Sequence, residues 1–249
     1  MIDRACKRGG CPARSWGTLL GEDCNVPEIT LFHFPGACSR VTMTALEMTG
    51  AAFADRLVDI MAGEQMSSEY KAINPRGKVP ALLVDGRLMT ENVAILTWLA
   101  NCFPEAGLLP NVGSDWDRAQ QLADLVWISA TLHPYVRANK MPVRWTVGDE
   151  APVRERGRQL LAPALAQLEN RLETNDWWYD GISIVDVYLY WCYTTAESGH
   201  FPLGAFPNIA NHRRRVEAFP PFRRALAREA AASARHDAAT RFASGELSR

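Results

Sequence analysis

In residues 74–95, NPRGKVPALLVDGRLMTENVAI, a turn runs into a strand, the strand into a hairpin and the hairpin into a helix. Asn74-Pro75-Arg76-Gly77 is a cluster of turn formers. Pro80–Val84 and Arg87–Met89 flank Asp85-Gly86, a pair suited to a two-residue hairpin turn because both central residues must take positive φ. From Glu91 to Phe103 the apolar residues Val93, Ile95, Leu96, Leu99 and Ala100 recur at helical spacing.

Upstream, Ile29–Phe34 (ITLFHF) is β-branched and aromatic, as a short buried strand should be. Pro35-Gly36 breaks it, and Cys38–Met48 carries Val41, Ala45 and Met48 at helical spacing until Gly50 stops the helix. Ala54–Ile60 predicts a second strand and Ser67–Ile73 a short helix. Residues 29–104 thus read β-α-β-α-β-β-α, a compact α/β unit.

Downstream the periodicity changes. Residues 105–113 have linker composition, and Ser114-x-x-Asp117 opens a long helix with Ala119, Ala123, Val126 and Ala130 expected on its inner face. Pro152 starts another helix, with Leu161, Leu165, Leu168 and Leu172 on one side and a kink expected at Pro163. Ser183–Ala196 is apolar nearly all round, which predicts a helix buried on every side. Helices near Pro207–Phe219 and Pro221–Ser233 complete an all-helical domain over 114–233. Residues 1–28, without periodicity, are expected to be a disordered extension, and residues 234–249 a C-terminal tail.

Composition bounds the function. The chain has 249 residues, 47% apolar, with 27 Lys and Arg against 28 Asp and Glu. That balance lacks the clear basic excess a nucleic-acid binder needs. No apolar run approaches the roughly 18 residues that suggest a membrane span. Six cysteines are too few for a disulfide scaffold, which points to a reducing, cytoplasmic setting. No G-x-G-x-x-G, H-E-x-x-H, G-x-S-x-G or paired C-x-x-C occurs, and Val79 after Gly77-Lys78 rules out a P-loop. Cys6, Cys11 and Cys24 have no histidine at ligand spacing, so no metal is expected.

Three segments in order, Phe34-Pro35-Gly36-Ala37-Cys38-Ser39, Asn74–Pro80 and Thr90-Glu91-Asn92-Val93-Ala94-Ile95, resemble the glutathione S-transferase family, most of all its bacterial beta class. The resemblance covers roughly residues 29–230. It implies a thioredoxin-like first domain, an all-helical second domain, a homodimer, glutathione as cosubstrate and a small electrophile as substrate.

Each segment has its own chemistry. Cys38 and Ser39 fall where a strand hands over to a helix, and the unpaired N–H groups and positive dipole end there favour a thiolate. Lowering a thiol pKa by about 2 units corresponds to about 2.7 kcal/mol. The thiolate belongs either to Cys38 or to bound glutathione, and a small buried apolar role for Cys38 is the alternative. The resemblance implies that Cys38 approaches the glutathione sulfur. It also implies a cis peptide before Pro80, with Val79 offering its backbone to the cysteinyl part of glutathione. Glu91 and Asn92, at the start of the third helix, would bind the γ-glutamyl end; plain capping is the alternative. His133 lies beside the apolar stripe of the long helix and matches a histidine that the beta class places near the glutathione sulfur, as a thiol-stabilising or proton-handling group. Lys78 or Gln65 would meet the glycine carboxylate. Phe34, Tyr135, Met141 and Trp145 are candidates for the electrophile pocket. Ser183-Ile184-Val185-Asp186 is an N-capping box with a folding role. The expected function is conjugation of glutathione to small electrophiles. The rivals are monothiol exchange through Cys38 and non-catalytic binding of glutathione or an apolar ligand.

Overall fold

The computed structural model describes residues 27–243. Four strands, β1 (Ile29–His33), β2 (Ala54–Leu57), β3 (Ala81–Val84) and β4 (Arg87–Thr90), form one sheet in the order β2-β1-β3-β4. β1 pairs parallel with β2 and antiparallel with β3, and β3 pairs antiparallel with β4 across the Asp85-Gly86 turn. Alternation along β1 sends Ile29 and Leu31 to one face, under α1 (Ser39–Thr49) and α3 (Asn92–Cys102), and Phe32 to the other. There Phe32 packs on Tyr70 of α2 (Ser68–Ile73), with ring centroids 5.8 Å apart. This is the expected thioredoxin-like arrangement, a mixed sheet with helices on both faces.

The second domain is helical. It contains α4 (Asp115–Trp127), a π-helical stretch (Ile128–Leu132), α5 (His133–Lys140), α6 (Ala151–Thr174), α7 (Ile184–Ser198), α8 (Pro207–Ala218) and α9 (Pro220–Ala243). α7 is buried over most of its length and packs on α1, α5 and α8, as its all-round apolar sequence predicts. Its start is secured by Asp186: Oδ2 accepts from Ser183 N (2.8 Å) and Ser183 Oγ (2.9 Å), Oδ1 accepts from Trp178 N (2.7 Å), and His212 Nε2 stands 3.0 Å from Oδ1. α5 crosses α6 closely because residue 157 is glycine; a Cβ there would lie 2.6 Å from Asn139 N.

Four expectations need correction. β2 ends at Leu57 rather than Ile60. The predicted tail from 234 is helical as far as Ala243, because α9 continues across the first domain and pairs Arg235 with Asp55 and His236 with Asp59. Residues 1–26 of the expected extension lie outside the described residues, but Glu28 is tied to the hairpin, with Asp85 N donating to its carbonyl at 3.0 Å. The inner face of α4 is Gln121 and Leu125, continued by Ile128 and Leu132, whereas Ala119, Ala123, Val126 and Ala130 face outward. The period was helical as predicted; the covered face was the other one.

α9 also joins the two domains. Glu47 of α1 pairs with Arg224 and Arg228, and buried Glu229 accepts from Arg40 Nε (2.9 Å) and from Gly36 N (3.3 Å). Burial pushes the Glu229 carboxyl up, against the pull of Arg40. Trp191 Nε1 of α7 donates to the Gly36 carbonyl at 3.0 Å. The helical domain thus holds both sides of Gly36, two residues before Cys38.

Candidate active site

A cleft of about 610 Å³ opens between the domains. One wall consists of the β1–α1 turn at Cys38, the turn before β3 and the start of α3; the other is the face of α5 with Tyr188 of α7 behind it. Of the residues singled out from the sequence, Cys38, Lys78, Val79, Pro80, Glu91, Asn92, Gln65 and His133 all line this one space. Trp145 lines it too, whereas Phe34, Tyr135 and Met141 are not among its lining residues.

The first wall is built by short-range rules. Asn74 is buried and closes its turn: Nδ2 donates to the Lys78 carbonyl (2.8 Å) and Oδ1 accepts from Arg76 N (3.1 Å). Gly77 has φ +59° and no room for a Cβ, which would stand 2.7 Å from the Gln65 carbonyl oxygen. The Val79–Pro80 peptide is cis. Glu91, the N-cap of α3, has φ +72°, a costly conformation for a non-glycine residue and one that clusters at functional sites. Its exposed carboxylate meets Arg76 Nη1 at 3.0 Å.

Cys38 caps α1, but its environment does not favour an anion. Burial pushes the thiol up, against the pull of the Arg137 guanidinium, and Sγ sits 3.6 Å from the Val79 carbonyl in the position of a weak S–H donor. A carbonyl facing the sulfur suits a thiol, so of the two owners expected for the thiolate, Cys38 or bound glutathione, this environment favours glutathione. Ser39, the other candidate in this turn, is not among the residues lining the cleft. It is fully buried, donates to the Phe34 carbonyl (3.2 Å) and accepts from Phe34 N (3.1 Å), which closes the β1–α1 turn and leaves it off the cleft surface. The Asn92 side chain is likewise occupied: Nδ2 donates to the Cys38 carbonyl (3.1 Å) and Oδ1 accepts from Thr42 Oγ1 (2.7 Å). Only its backbone N–H, in the first turn of α3, is left for a ligand.

His133 faces the cleft at the end of the π-helical stretch, on one side with Ser129 and Arg137. Arg137 Nε donates to His133 Nε2 at 3.2 Å, which places the imidazole proton on Nδ1, 3.0 Å from Tyr188 Oη. Burial, reinforced by the Arg137, Arg144 and Lys78 charges, holds the His133 pKa down to about 3. The ring is therefore neutral at physiological pH with both nitrogens engaged, an arrangement that suits thiol stabilisation better than proton handling, the two roles expected of it. Tyr188 is buried, its pKa pushed well up by burial, and it accepts from His133 Nδ1–H. Its own proton remains free to donate.

Sequence reading missed Arg137, Arg144 and Tyr188. Tyr188 lay within a helix whose apolar surface hid its one polar atom. Arg137 and Arg144 had no motif around them, and the only available signal was the i, i+4 spacing of Arg137 from His133.

The N-terminal domain model of the glutathione S-transferases matches residues 27–101. Over 80% of its length the chain is 31% identical to glutathione S-transferase GstA of Escherichia coli O157:H7, 98% of which is covered. The chain belongs to the glutathione S-transferase family. It is also 30% identical, over 73% of its length and 87% of that protein, to maleylacetoacetate isomerase of Pseudomonas aeruginosa. Among solved structures it resembles a sphingomonad glutathione S-transferase complexed with glutathione (31% identity, TM-score 0.71, 81% of this chain and 98% of that one). It similarly resembles a bacterial beta class enzyme from Sphingomonas chungbukensis (30% identity, TM-score 0.71, 80% and 98%). Family membership makes the chain a glutathione transferase by type, and the cleft lies where its thioredoxin-like domain meets the helical one.

Proposed function

We propose that the protein conjugates the glutathione sulfur to small electrophiles in the cytoplasm, and that it works as a homodimer. The observation that carries the conjugation reading is the convergence of Cys38, the Val79–Pro80 peptide and the start of α3 on one cleft. The opposite wall supplies a fixed cation, Arg137, and a hydroxyl donor, Tyr188.

The residues divide the tripeptide between them. Val79 offers its backbone to the cysteinyl unit in the manner of an added strand. Glu91 takes the α-ammonium, and the Asn92 N–H takes the γ-glutamyl carboxylate with the help of the helix dipole. Lys78 or Gln65, both on the cleft wall, meets the glycine carboxylate, Lys78 through its ammonium or Gln65 through its amide N–H groups. Cys38 stands at the sulfur. Arg137 and the Tyr188 hydroxyl donate to the sulfur as its proton passes to solvent. His133 holds both donors in place and itself exchanges no proton. The sulfur then bonds to the electrophilic carbon, and the leaving group departs with its electron pair.

The dimer rests on the outward stripe of α4. Trp116 (74% exposed), Leu122 (45%) and Val126 (44%) lie on that surface with Ala119, Ala123 and Ala130, and nothing within the described residues covers them. A continuous apolar stripe of this kind suits a second copy of the chain.

Conjugation of glutathione to 1-chloro-2,4-dinitrobenzene, followed through the thioether product, tests the reading. Turnover is expected, with Tyr188→Phe raising the apparent thiol pKa in the kcat/KM profile by about one unit, or about 1.4 kcal/mol. No calorimetric binding of glutathione would sink the proposal. Loss of conjugation together with thiol exchange in Cys38→Ala would move the reacting sulfur to Cys38 and favour the monothiol reading.

A further inference from the structure

Arg137 and Arg144 stand on the helical wall of the cleft, and no carboxylate pairs with either among the described residues. Arg144 sits on the short turn Pro142–Arg144 that follows α5, beside exposed Trp145. Arg137 uses Nε on His133 and one Nη1 hydrogen on Met141 Sδ at 3.5 Å, while its guanidinium lies over the Trp191 ring, 5.1 Å from the centroid. It also approaches the Cys38 sulfur, and the rest of its N–H fork has no partner among the described residues.

At the contact between α1 and α9 and on α8, by contrast, arginines meet carboxylates. Glu47 takes Arg224 and Arg228, Glu229 takes Arg40, and Glu197 and Glu217 take Arg213. In the cleft, Arg76, Lys78, Arg137 and Arg144 face the single carboxylate of Glu91, a surplus of three positive charges in a chain whose formal net charge is −1. The two guanidiniums act on each other: burial and then the Arg137 charge lower the Arg144 pKa. Holding like charges together in a partly desolvated cleft is unfavourable unless an anion fills the space. Glutathione with its sulfur ionised carries a net charge of −2, which leaves one positive charge unanswered.

We propose that the electrophile accepted by this cleft carries a carboxylate, received by Arg144 together with the free N–H groups of Arg137 and flanked by the Trp145 ring. This rests on the transferase reading above and adds a substrate class to it. A planar carboxylate fits the fork geometry of a guanidinium, and an aromatic or conjugated body would lie against Trp145 while its electrophilic carbon faces the sulfur.

The test uses a matched pair, 4-chloro-3,5-dinitrobenzoate and its methyl ester. Each loses chloride, with its bonding electrons, as the glutathione sulfur bonds to the ring carbon and the thiol proton passes to solvent. The expected result is a kcat/KM about tenfold higher for the carboxylate. In Arg144→Gln, an exposed position where the fold should tolerate the change, that preference should collapse to near parity. Equal rates for the two compounds, or a preference that survives the substitution, would overturn the inference. So would a glutathione KM that rises more than the benzoate KM, because Arg144 would then serve the glycine carboxylate. If neither compound turns over although glutathione binds, the conjugation reading fails by itself. Calorimetry with unreactive 3,5-dinitrobenzoate and its ester on the glutathione-loaded protein then decides: tighter binding of the carboxylate, lost in Arg144→Gln, sustains the anion subsite, and equal binding removes it.

Discussion

A partly buried imidazole that accepts from a guanidinium cannot take up a proton without losing that bond and facing a like charge. His133 is in this position, bonded to Arg137 and held neutral down to about pH 3. In the unfolded chain it titrates near 6.5. Between those values the unfolded state binds the extra proton, so this contribution to stability is fully present above about pH 6.5 and is lost as the pH falls toward 3. The slope approaches at most about 1.4 kcal/mol per pH unit, and less because the ring is only partly shielded from solvent. His133→Gln should flatten the acid limb of a urea-midpoint against pH profile between pH 6 and 4. An unchanged limb would place the acid sensitivity elsewhere, with the buried His33 beside Asp55 next in line. At this scale the sequence showed which residue types were chemically apt but not which of their atoms were free. Ser39 and Asn92 were apt and are engaged by backbone and side-chain partners, whereas Arg137 had no motif and faces the cleft. Ser39 is closed off by Phe34 five residues away, in a turn whose exact geometry the sequence does not specify. The partners of Asn92 arrive from 50 or more residues away, where local sequence carries no information.

Among the elements, α7 shows how a sequence signal becomes architecture. The capping box Ser183-x-x-Asp186 was visible in the chain as the start of a buried helix. What could not be seen is that Asp186 also receives the Trp178 backbone and faces His212, whose Nδ1 lies 3.1 Å from Tyr193 Oη. Asp186→Ala removes the cap, worth about 1 kcal/mol, and also strands the Trp178 N–H and His212 in a dry core. The expected loss is 3 kcal/mol or more by urea unfolding. A loss under about 1 kcal/mol would show that the network adds nothing beyond the cap. Because α7 also carries Tyr188 and Trp191, the loss should extend to the cleft and lower glutathione affinity. The strands, the hairpin turn and helices α1 to α3 were legible because period 2, period 3.6 and Asp-Gly act over a few residues. Helix ends were less so: α9 passes its predicted stop because its last turns gain partners on Asp55 and Asp59 of the other domain.

For the whole molecule, the stripe on α4 is the decisive case. Ala119, Ala123, Val126 and Ala130 have helical spacing, and the chain leaves them exposed. If a second copy covers them, Val126→Arg should turn a dimer into a monomer by sedimentation velocity, with the far-ultraviolet circular dichroism unchanged. A wild-type chain that sediments as a monomer at micromolar concentration would remove the homodimer from the proposal. By itself the amino-acid sequence determined two domains, the order of strands and helices in the first, the wholly helical second, and the family to which the motifs at Cys38, Asn74–Pro80 and Glu91 belong, because each of these depends on neighbours within a turn or two. The tertiary structure alone decided which side of α4 is covered, that burial raises the Cys38 pKa, and that Arg137 and Arg144 face the cleft with no carboxylate partner among the described residues. Burial and electrostatic environment are set by whatever the fold packs around a residue, and the chain order of the groups involved does not reveal it.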